Sequence, residues 1–162
     1  MAVARRAMAF RMPVVYHSRS QKPEAEKEWN ASYCATLDEL LKVSDVVSLH
    51  CPSTEQTRNL IDEKALSKMK SSAVLINTAR SAVVGEAALS AAIIQGKISG
   101  ARLDVFVSEP EVGEHLIHLD NVLLPPHVGA ATTETRDEMG LRVIENIKTF
   151  FLTGQPRDKV ER

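Results

Sequence analysis

One arginine, two carboxylates and one histidine each follow an apolar segment of strand-like sequence. Arg80 comes soon after the first segment, Asp104 ends the second with Glu109 five residues further on, and His127 follows the third through two prolines. An arginine fork binds a carboxylate bidentately and polarises the neighbouring carbonyl, while a histidine gives or takes the hydroxyl proton. A nearby carboxylate would favour the imidazolium form and orient the ring. This set suits hydride transfer on a small 2-oxo or 2-hydroxy acid.

Short apolar segments alternate with helical ones along the whole chain, which predicts a parallel sheet covered on both faces. The fold class is therefore α/β, a Rossmann-like, doubly wound sheet whose ligands bind at the carboxyl ends of its strands. The predicted strands are Val14 to His17, Val46 to His50, Ala73 to Asn77, Ala101 to Val105 and Asn121 to Leu124, with a further short strand at Ala31 to Cys34.

Capping signals mark the ends of the predicted helices. Thr36 and Glu39 have the spacing of a capping box, and Asp62 is placed to cap a helix from Glu63 to Met69. Gly96 closes a helix over Ala87 to Gln95. A long final helix begins near Thr133 and stops at Gly154 and Pro156, and the polar stretch Gln21 to Asn30 is interpreted as a surface connection.

The chain begins with a predicted helix, Ala2 to Phe10, whose Ala2, Val3, Ala7 and Met8 could face a core. No strand and no glycine-rich phosphate loop precede it, although a doubly wound domain carries both there. The sequence therefore predicts a vacancy in the sheet: the two flanking strands either close up or leave an exposed edge. The NAD(P)-binding domain is expected over residues 1–154, incomplete at its amino end, with a tail at 155–162 and no substrate domain.

Charge and cysteine content narrow the class of partner. Across 162 residues, 20 basic and 21 acidic side chains nearly cancel, so a nucleic-acid or membrane partner is not expected. Cys34 and Cys51 have no metal-ligand spacing, which suits a reducing compartment and a cytoplasmic location. The arginines among the first twenty residues also have the composition of a mitochondrial transit peptide, but the strand-like segment that ends at His17 argues against it.

The chain resembles the D-isomer-specific 2-hydroxyacid dehydrogenases from Ala2 to about Gly154. The stretches that carry the likeness are VVSLHCPSTEQTRNLI, SAVLINTARSAVVGEAAL, GARLDVFVSEP and NVLLPPHVGAATTETRDEM. Arg80, Glu109 and His127 are separated by 29 and 18 residues, the separations expected of the family's arginine, glutamate and histidine.

The resemblance implies a role for each matching residue. Arg80 would bind the 2-oxo acid, His127 would be general acid in reduction and general base in oxidation, and Glu109 would tune His127. Asp104 would hydrogen-bond the nicotinamide carboxamide. The other positions expected along the cofactor are Cys51, Pro52, Thr78, Ala79 and Gly129.

Cofactor choice depends on the residues after the second strand of the fold. An acidic residue there binds the ribose 2′-hydroxyl of NAD, whereas this chain has Ser18, Arg19 and Ser20, which suit a 2′-phosphate. NADP is therefore favoured over NAD. The likeness is greatest to the glyoxylate and hydroxypyruvate reductases, and a homodimer is expected. Two alternatives stay open: a corepressor-like protein that senses nicotinamide without catalysis, and an inactive truncated product.

Four positions depart from the family pattern. Ser81 stands where glycine is usual and would be strained if its backbone needed a positive φ. Gly85 replaces a capping aspartate, Val107 replaces an acidic residue, and Arg11 replaces a glycine. None of them belongs to the predicted catalytic set.

Overall fold

The computed structural model describes residues 2–160, which form two units that divide between Leu124 and Pro125. The first unit contains all the described strands, and every predicted strand is confirmed. Five are shortened at one or both ends, and the strand predicted at Ala101 to Val105 begins one residue earlier and ends two residues earlier than predicted. Both sheets are parallel, and the fold class is α/β as predicted. The strands are β1 (Val15–Tyr16), β2 (Ser32–Tyr33), β3 (Val46–Leu49), β4 (Val74–Asn77), β5 (Gly100–Leu103) and β6 (Val122–Leu123).

The described strands form a pair, β1-β2, and a sheet of four in the order β3-β4-β5-β6. Strands β3, β4 and β5 end level with one another, because the register places Leu49, Asn77 and Leu103 side by side. The residues that follow these strands therefore leave the sheet at one edge. A level edge of this kind is where open α/β sheets bind ligands.

The predicted vacancy in the sheet takes the form of an open edge. Among residues 2–160, strand β3 pairs only with β4, and β1 pairs only with β2, so the strands on either side of the predicted gap do not close up. Val46, at the start of β3, keeps 43% of its surface exposed. The edge of β3 consequently presents backbone groups that no described strand satisfies.

The helices begin and end largely where capping residues predict. The Thr36 hydroxyl accepts from the N–H of Glu39, whose carboxylate accepts from the N–H of Thr36, and Asp62 accepts from the N–H of Ala65. None of the described helices is long and apolar enough to cross a membrane. The helices are α1 (Ala2–Ala9), α2 (Pro23–Trp29), α3 (Leu37–Val43), α4 (Glu63–Leu66), α5 (Glu86–Ile94), α6 (Glu114–Ile117) and α7 (Thr133–Thr153).

The core of the first unit lies around the four-stranded sheet. Apolar side chains of β3, β4 and β5 meet those of α3, α4 and α5 there, and most are less than a twentieth exposed. The strands are thereby anchored in a tightly packed core. The largest fully buried apolar side chains are Leu41, Ile61, Leu66, Leu75, Leu89, Ile98, Leu103, Leu116 and Val83.

Two predictions about the first thirty residues are wrong. The helix α1 forms, but none of its side chains is buried, because its contact with α2 leaves Val3 and Met8 exposed. The stretch Gln21 to Asn30 contains α2, which begins at Pro23 and buries Trp29 to 9% exposure. Proline in the first turn, with Glu24 and Glu26 beside it, is the helix-start signal that the polarity of the stretch concealed.

The second unit consists of α7 and the segments on either side of it. Gly154 ends the helix with a φ of 76°, as predicted, and the chain after it folds back. Asp158 accepts from the guanidinium of Arg142 and from Asn146, and Arg157 pairs with Glu145. The apolar side chains along α7 are exposed. The end of the expected tail, residues 161 and 162, lies outside the described residues.

Candidate functional site

An open cleft of about 580 Å³ lies at the carboxyl ends of β3 and β4. Its walls combine apolar side chains with hydroxyl groups, one imidazole and one guanidinium, a lining typical of small-molecule sites. Four of the predicted site residues therefore share one cleft with Arg80. The lining residues are Leu49, His50, Cys51, Pro52, Ser53, Thr78, Ala79 and Arg80.

Arg80 is exposed at this cleft and follows β4 by three residues. Its Nη1 donates to the carbonyl of Ala79 at 2.6 Å, and its backbone is extended, with φ −144° and ψ 144°. Ser81 begins a single turn of 3₁₀ helix, Ser81–Val83, and its φ is not positive. The predicted strain at Ser81 is therefore absent, because the chain makes this turn without a left-handed residue.

The residue that sequence analysis missed in this segment is Asn77, the last residue of β4. Its side chain is buried, and its Oδ1 accepts from the N–H of Ala79 at 3.0 Å. Its Nδ2 donates to the carbonyl of Arg80, also at 3.0 Å. Asparagine bonded to the backbone two residues ahead is a frequent turn motif, so the sequence carried a signal for the first of these bonds.

Asp104 directly follows β5 and is 6% exposed. Its N–H donates to the carbonyl of Asn77 at 3.0 Å, which ties the end of β5 to the end of β4. Glu109 lies in the loop after Asp104, where its Oε1 accepts from the N–H of Phe106 at 2.9 Å. A second carboxylate that the sequence did not suggest, Glu86, accepts from the N–H of Val107 at 2.8 Å.

The segment Ser18, Arg19 and Ser20 follows β1 as predicted, and it is held in a defined turn. Ser18 donates from its hydroxyl to the carbonyl of Ser20, and Tyr33 donates to the carbonyl of Ser18 at 3.3 Å. Arg19 is exposed. Lys22, which sequence analysis did not select, donates from Nζ to the hydroxyl of Ser20 at 3.2 Å, so two cations belong to this turn.

His127 and Gly129 belong to the second unit, and both are exposed. His127 has a φ of 51°, in the left-handed region that few residues with a side chain adopt, and its N–H donates to the carbonyl of Pro125 at 3.0 Å. Backbone strain of this kind is concentrated at functional sites. The meeting of His127 with Arg80 and Glu109 stays a prediction.

His50 lines the cleft, and its pKa is perturbed. Desolvation lowers the pKa of His50 below its usual 6.5, so the ring is uncharged at neutral pH. Its Nε2 lies 2.9 Å from the hydroxyl of Ser48. With the imidazole neutral, the positive charge among the residues lining the cleft is that of Arg80.

Comparison with known proteins identifies the family. Residues 1–129 match the family described as D-isomer specific 2-hydroxyacid dehydrogenase, NAD binding domain. The chain is 49% identical over 149 residues to a glyoxylate reductase of Thermococcus litoralis, which covers 92% of this chain and 45% of that protein. A glyoxylate/hydroxypyruvate reductase B of Pectobacterium carotovorum is 48% identical, covering 91% of this chain and 46% of that protein.

Two solved structures match the fold closely. A glyoxylate reductase from Paecilomyes thermophila gives a TM-score of 0.91 at 42% identity over 98% of this chain and 48% of that one. The NADPH-dependent glyoxylate/hydroxypyruvate reductase of Sinorhizobium meliloti, in complex with NADP and malonate, gives 0.92 at 37% identity over 98% and 49%.

The chain spans about half the length of these relatives. The match nevertheless covers most of its residues, and the strand ends carry the arginine, glutamate and histidine on which the resemblance rests. The chain belongs to the D-isomer-specific 2-hydroxyacid dehydrogenase family, of which it contains the NAD-binding domain.

Proposed function

We propose that this domain serves in the reduction of glyoxylate and hydroxypyruvate to the corresponding 2-hydroxy acids. The observation that carries the proposal is the exposed guanidinium of Arg80 in a cleft at the carboxyl ends of parallel strands. A cation held there is suited to a small carboxylate. The relatives named glyoxylate reductase support the same substrate class.

The proposed chemistry assigns one task to each side chain. Arg80 binds the carboxylate of the 2-oxo acid bidentately and polarises its carbonyl. A nicotinamide cofactor, when bound, would supply the hydride to the carbonyl carbon. His127 gives a proton to the carbonyl oxygen, which becomes the hydroxyl, and takes that proton back in oxidation. Glu109 favours the protonated imidazole.

The cofactor is proposed to be NADP rather than NAD. Ser20 offers a hydroxyl donor, Ser18 shapes the turn by donating to the carbonyl of Ser20, and Arg19 and Lys22 offer positive charge after β1. An acidic residue there would instead select the 2′-hydroxyl of NAD. The other positions proposed along the cofactor are Cys51, Pro52, Thr78, Ala79, Asp104 and Gly129. The Sinorhizobium meliloti relative is described as NADPH-dependent, in agreement with this assignment.

A homodimer in the cytoplasm completes the proposal. Cys34 and Cys51 are free, which suits a reducing compartment. Analytical ultracentrifugation tests the dimer, and a sedimentation coefficient of a monomer at all concentrations would contradict it.

Calorimetric titration of the purified chain with NADPH, NADH and oxamate, an unreactive analogue of a 2-oxo acid, tests the function. We expect NADPH to bind more tightly than NADH and oxamate to bind when cofactor is present. Arg80→Lys should lower the affinity for oxamate about tenfold or more, because lysine cannot form the bidentate pair with a carboxylate. Arg102→Lys is the matched control, since Arg102 also donates to the carbonyl of the residue before it but lies outside the cleft.

Arg19→Glu tests the choice of cofactor. We expect it to lower the affinity for NADPH without lowering the affinity for NADH, because an acidic side chain repels the 2′-phosphate and can bind the 2′-hydroxyl. Arg58→Glu, at an exposed arginine elsewhere in the unit, is the control. Equal affinity of the folded parent for NADPH and NADH would refute the NADP assignment. Oxamate binding that is insensitive to Arg80→Lys would refute the carboxylate site.

A further inference from the structure

Asn77 uses both ends of its side-chain amide on the segment that carries Arg80. Its Oδ1 accepts from the N–H of Ala79 and its Nδ2 donates to the carbonyl of Arg80, each at 3.0 Å, while only 1% of the residue is exposed. The partners fix the orientation of the amide, because an N–H bonds only to the oxygen and a carbonyl only to the nitrogen. We name these two bonds the Asn77 bracket.

The bracket restricts the backbone on both sides of the Ala79–Arg80 peptide. The N–H of Ala79 is held by Asn77, and the carbonyl of Ala79 accepts from Nη1 of Arg80 at 2.6 Å. The next carbonyl, that of Arg80, is held by Asn77 again. Three of the four polar backbone groups of Ala79 and Arg80 are therefore held, and they set the direction in which the Arg80 side chain leaves the chain.

Asn77 is itself anchored in the sheet. It pairs with Leu49 on one side and Leu103 on the other, and its carbonyl accepts from the N–H of Asp104 at 3.0 Å. A side chain that is buried and held by a central strand has little freedom to move. The rigidity of β4 is thereby passed to an exposed arginine on a loop.

We propose that Asn77 is a positioning residue that fixes Arg80 for carboxylate binding. This inference rests on the proposed function, because it gives Asn77 its effect through the carboxylate held by Arg80. Among side chains of this length, only asparagine supplies both the acceptor and the donor that the bracket requires. Aspartate keeps the acceptor but loses the donor, and leucine keeps the shape but loses both.

The experiment measures oxamate affinity of the full chain, with cofactor present, in the parent and in Asn77→Asp and Asn77→Leu. We expect the affinity for oxamate to fall about tenfold in both variants, although Asn77→Asp adds a negative charge and Asn77→Leu adds none. Loss in Asn77→Asp alone would mean repulsion of the ligand by the new carboxylate and would overturn the proposal. Asn121→Asp is the control, since Asn121 also donates from its amide to a backbone carbonyl, that of Ser99, away from the cleft.

A double-mutant cycle separates positioning from general destabilisation. If Asn77 acts through Arg80, then adding Asn77→Leu to a chain that already carries Arg80→Lys should lower the affinity for oxamate only slightly more. Additive losses would overturn the proposal. Hydrogen exchange of the Ala79 amide reports the bracket directly: we expect protection in the parent and in Asn77→Asp and rapid exchange in Asn77→Leu, and rapid exchange in the parent would also overturn it.

The parent distinguishes the two proposals. If the parent binds oxamate and the Asn77 variants bind it equally well, only the positioning role is lost. If the folded parent binds no oxamate, the proposed function of this domain fails, and the positioning role fails with it.

Discussion

A methyl group added at Gly100 is expected to force β6 away from β5. Gly100 is buried at the start of β5, and a Cβ there would lie 2.3 Å from the carbonyl oxygen of Asn121. That oxygen is backbone, so no rotamer change relieves the clash. To reach a separation of 3.0 Å the segment must recede by about 0.7 Å. The same oxygen accepts from the N–H of Ala101 at 3.1 Å, and this bond would then be too long to persist.

The expected cost combines two effects. Overpacking of a tightly packed site costs about 1–3 kcal/mol, and the loss of a backbone hydrogen bond adds about 1 kcal/mol. Gly100→Ala should therefore lower the free energy of unfolding by roughly 2–4 kcal/mol. For a chain of this size that corresponds to a fall in melting temperature of about 4–16 °C.

Trp29 provides the assay, because it is the one tryptophan of the sequence and is buried in the first unit. Urea and thermal unfolding are followed by its fluorescence in the parent, in Gly100→Ala and in Gly85→Ala. A Cβ at Gly85 meets its nearest atom at 3.7 Å, with φ −74°, so this control should change stability by less than about 1 kcal/mol. Equal melting temperatures for Gly100→Ala and the parent would refute the steric argument.

Three further predictions concern caps, tail and helix. Thr36→Ala breaks the capping box with Glu39 and should cost about 1 kcal/mol in urea unfolding, and no change would contradict the role of the cap. Hydrogen bonds from Arg142 hold the pKa of Asp158 below its usual 3.8. NMR titration should therefore show the contact between Asp158 and Arg142 intact above pH 3.8 and lost as the pH falls through the lowered pKa. Loss of this contact near neutral pH would exclude the carboxylate of Asp158 as its cause. Gly140→Ala, where a Cβ meets nothing within 4 Å, should stabilise α7 by about 0.5–1 kcal/mol, seen as slower amide exchange, and faster exchange would refute it.

The strands could be predicted because their signals are local. Short β-branched runs bounded by polar residues give β3, β4 and β5, and the parallel arrangement follows from the helices between them. Topology alone then places Arg80 and Asp104 at one edge of the sheet. The fold class and the family could accordingly be predicted from local patterns alone, and both are confirmed.

The errors arise where a sequence pattern does not show which element packs against it. The apolar side chains of α1 indicate a face, but periodicity says nothing of whether another element covers it, and here Val3 and Met8 are exposed. The helix α2 was missed for the opposite reason. Its polar sequence suggested a connection, while burial of Ala25 and Trp29 supplies the packing that periodicity did not reveal.

The positioning groups of the site show a further limit of sequence patterns. The bond from Asn77 to the N–H of Ala79 spans two residues and is predictable from turn chemistry. The bonds from Asp104 to Asn77 and from Val107 to Glu86 join distant parts of the chain, and their acceptors are a strand end and a helix start that meet only after folding. A sequence motif therefore identifies the groups that would contact substrate more readily than those that hold them. The variants of Asn77 examine the second class of residue, because turn chemistry predicts one of its two side-chain bonds and only the fold shows the other.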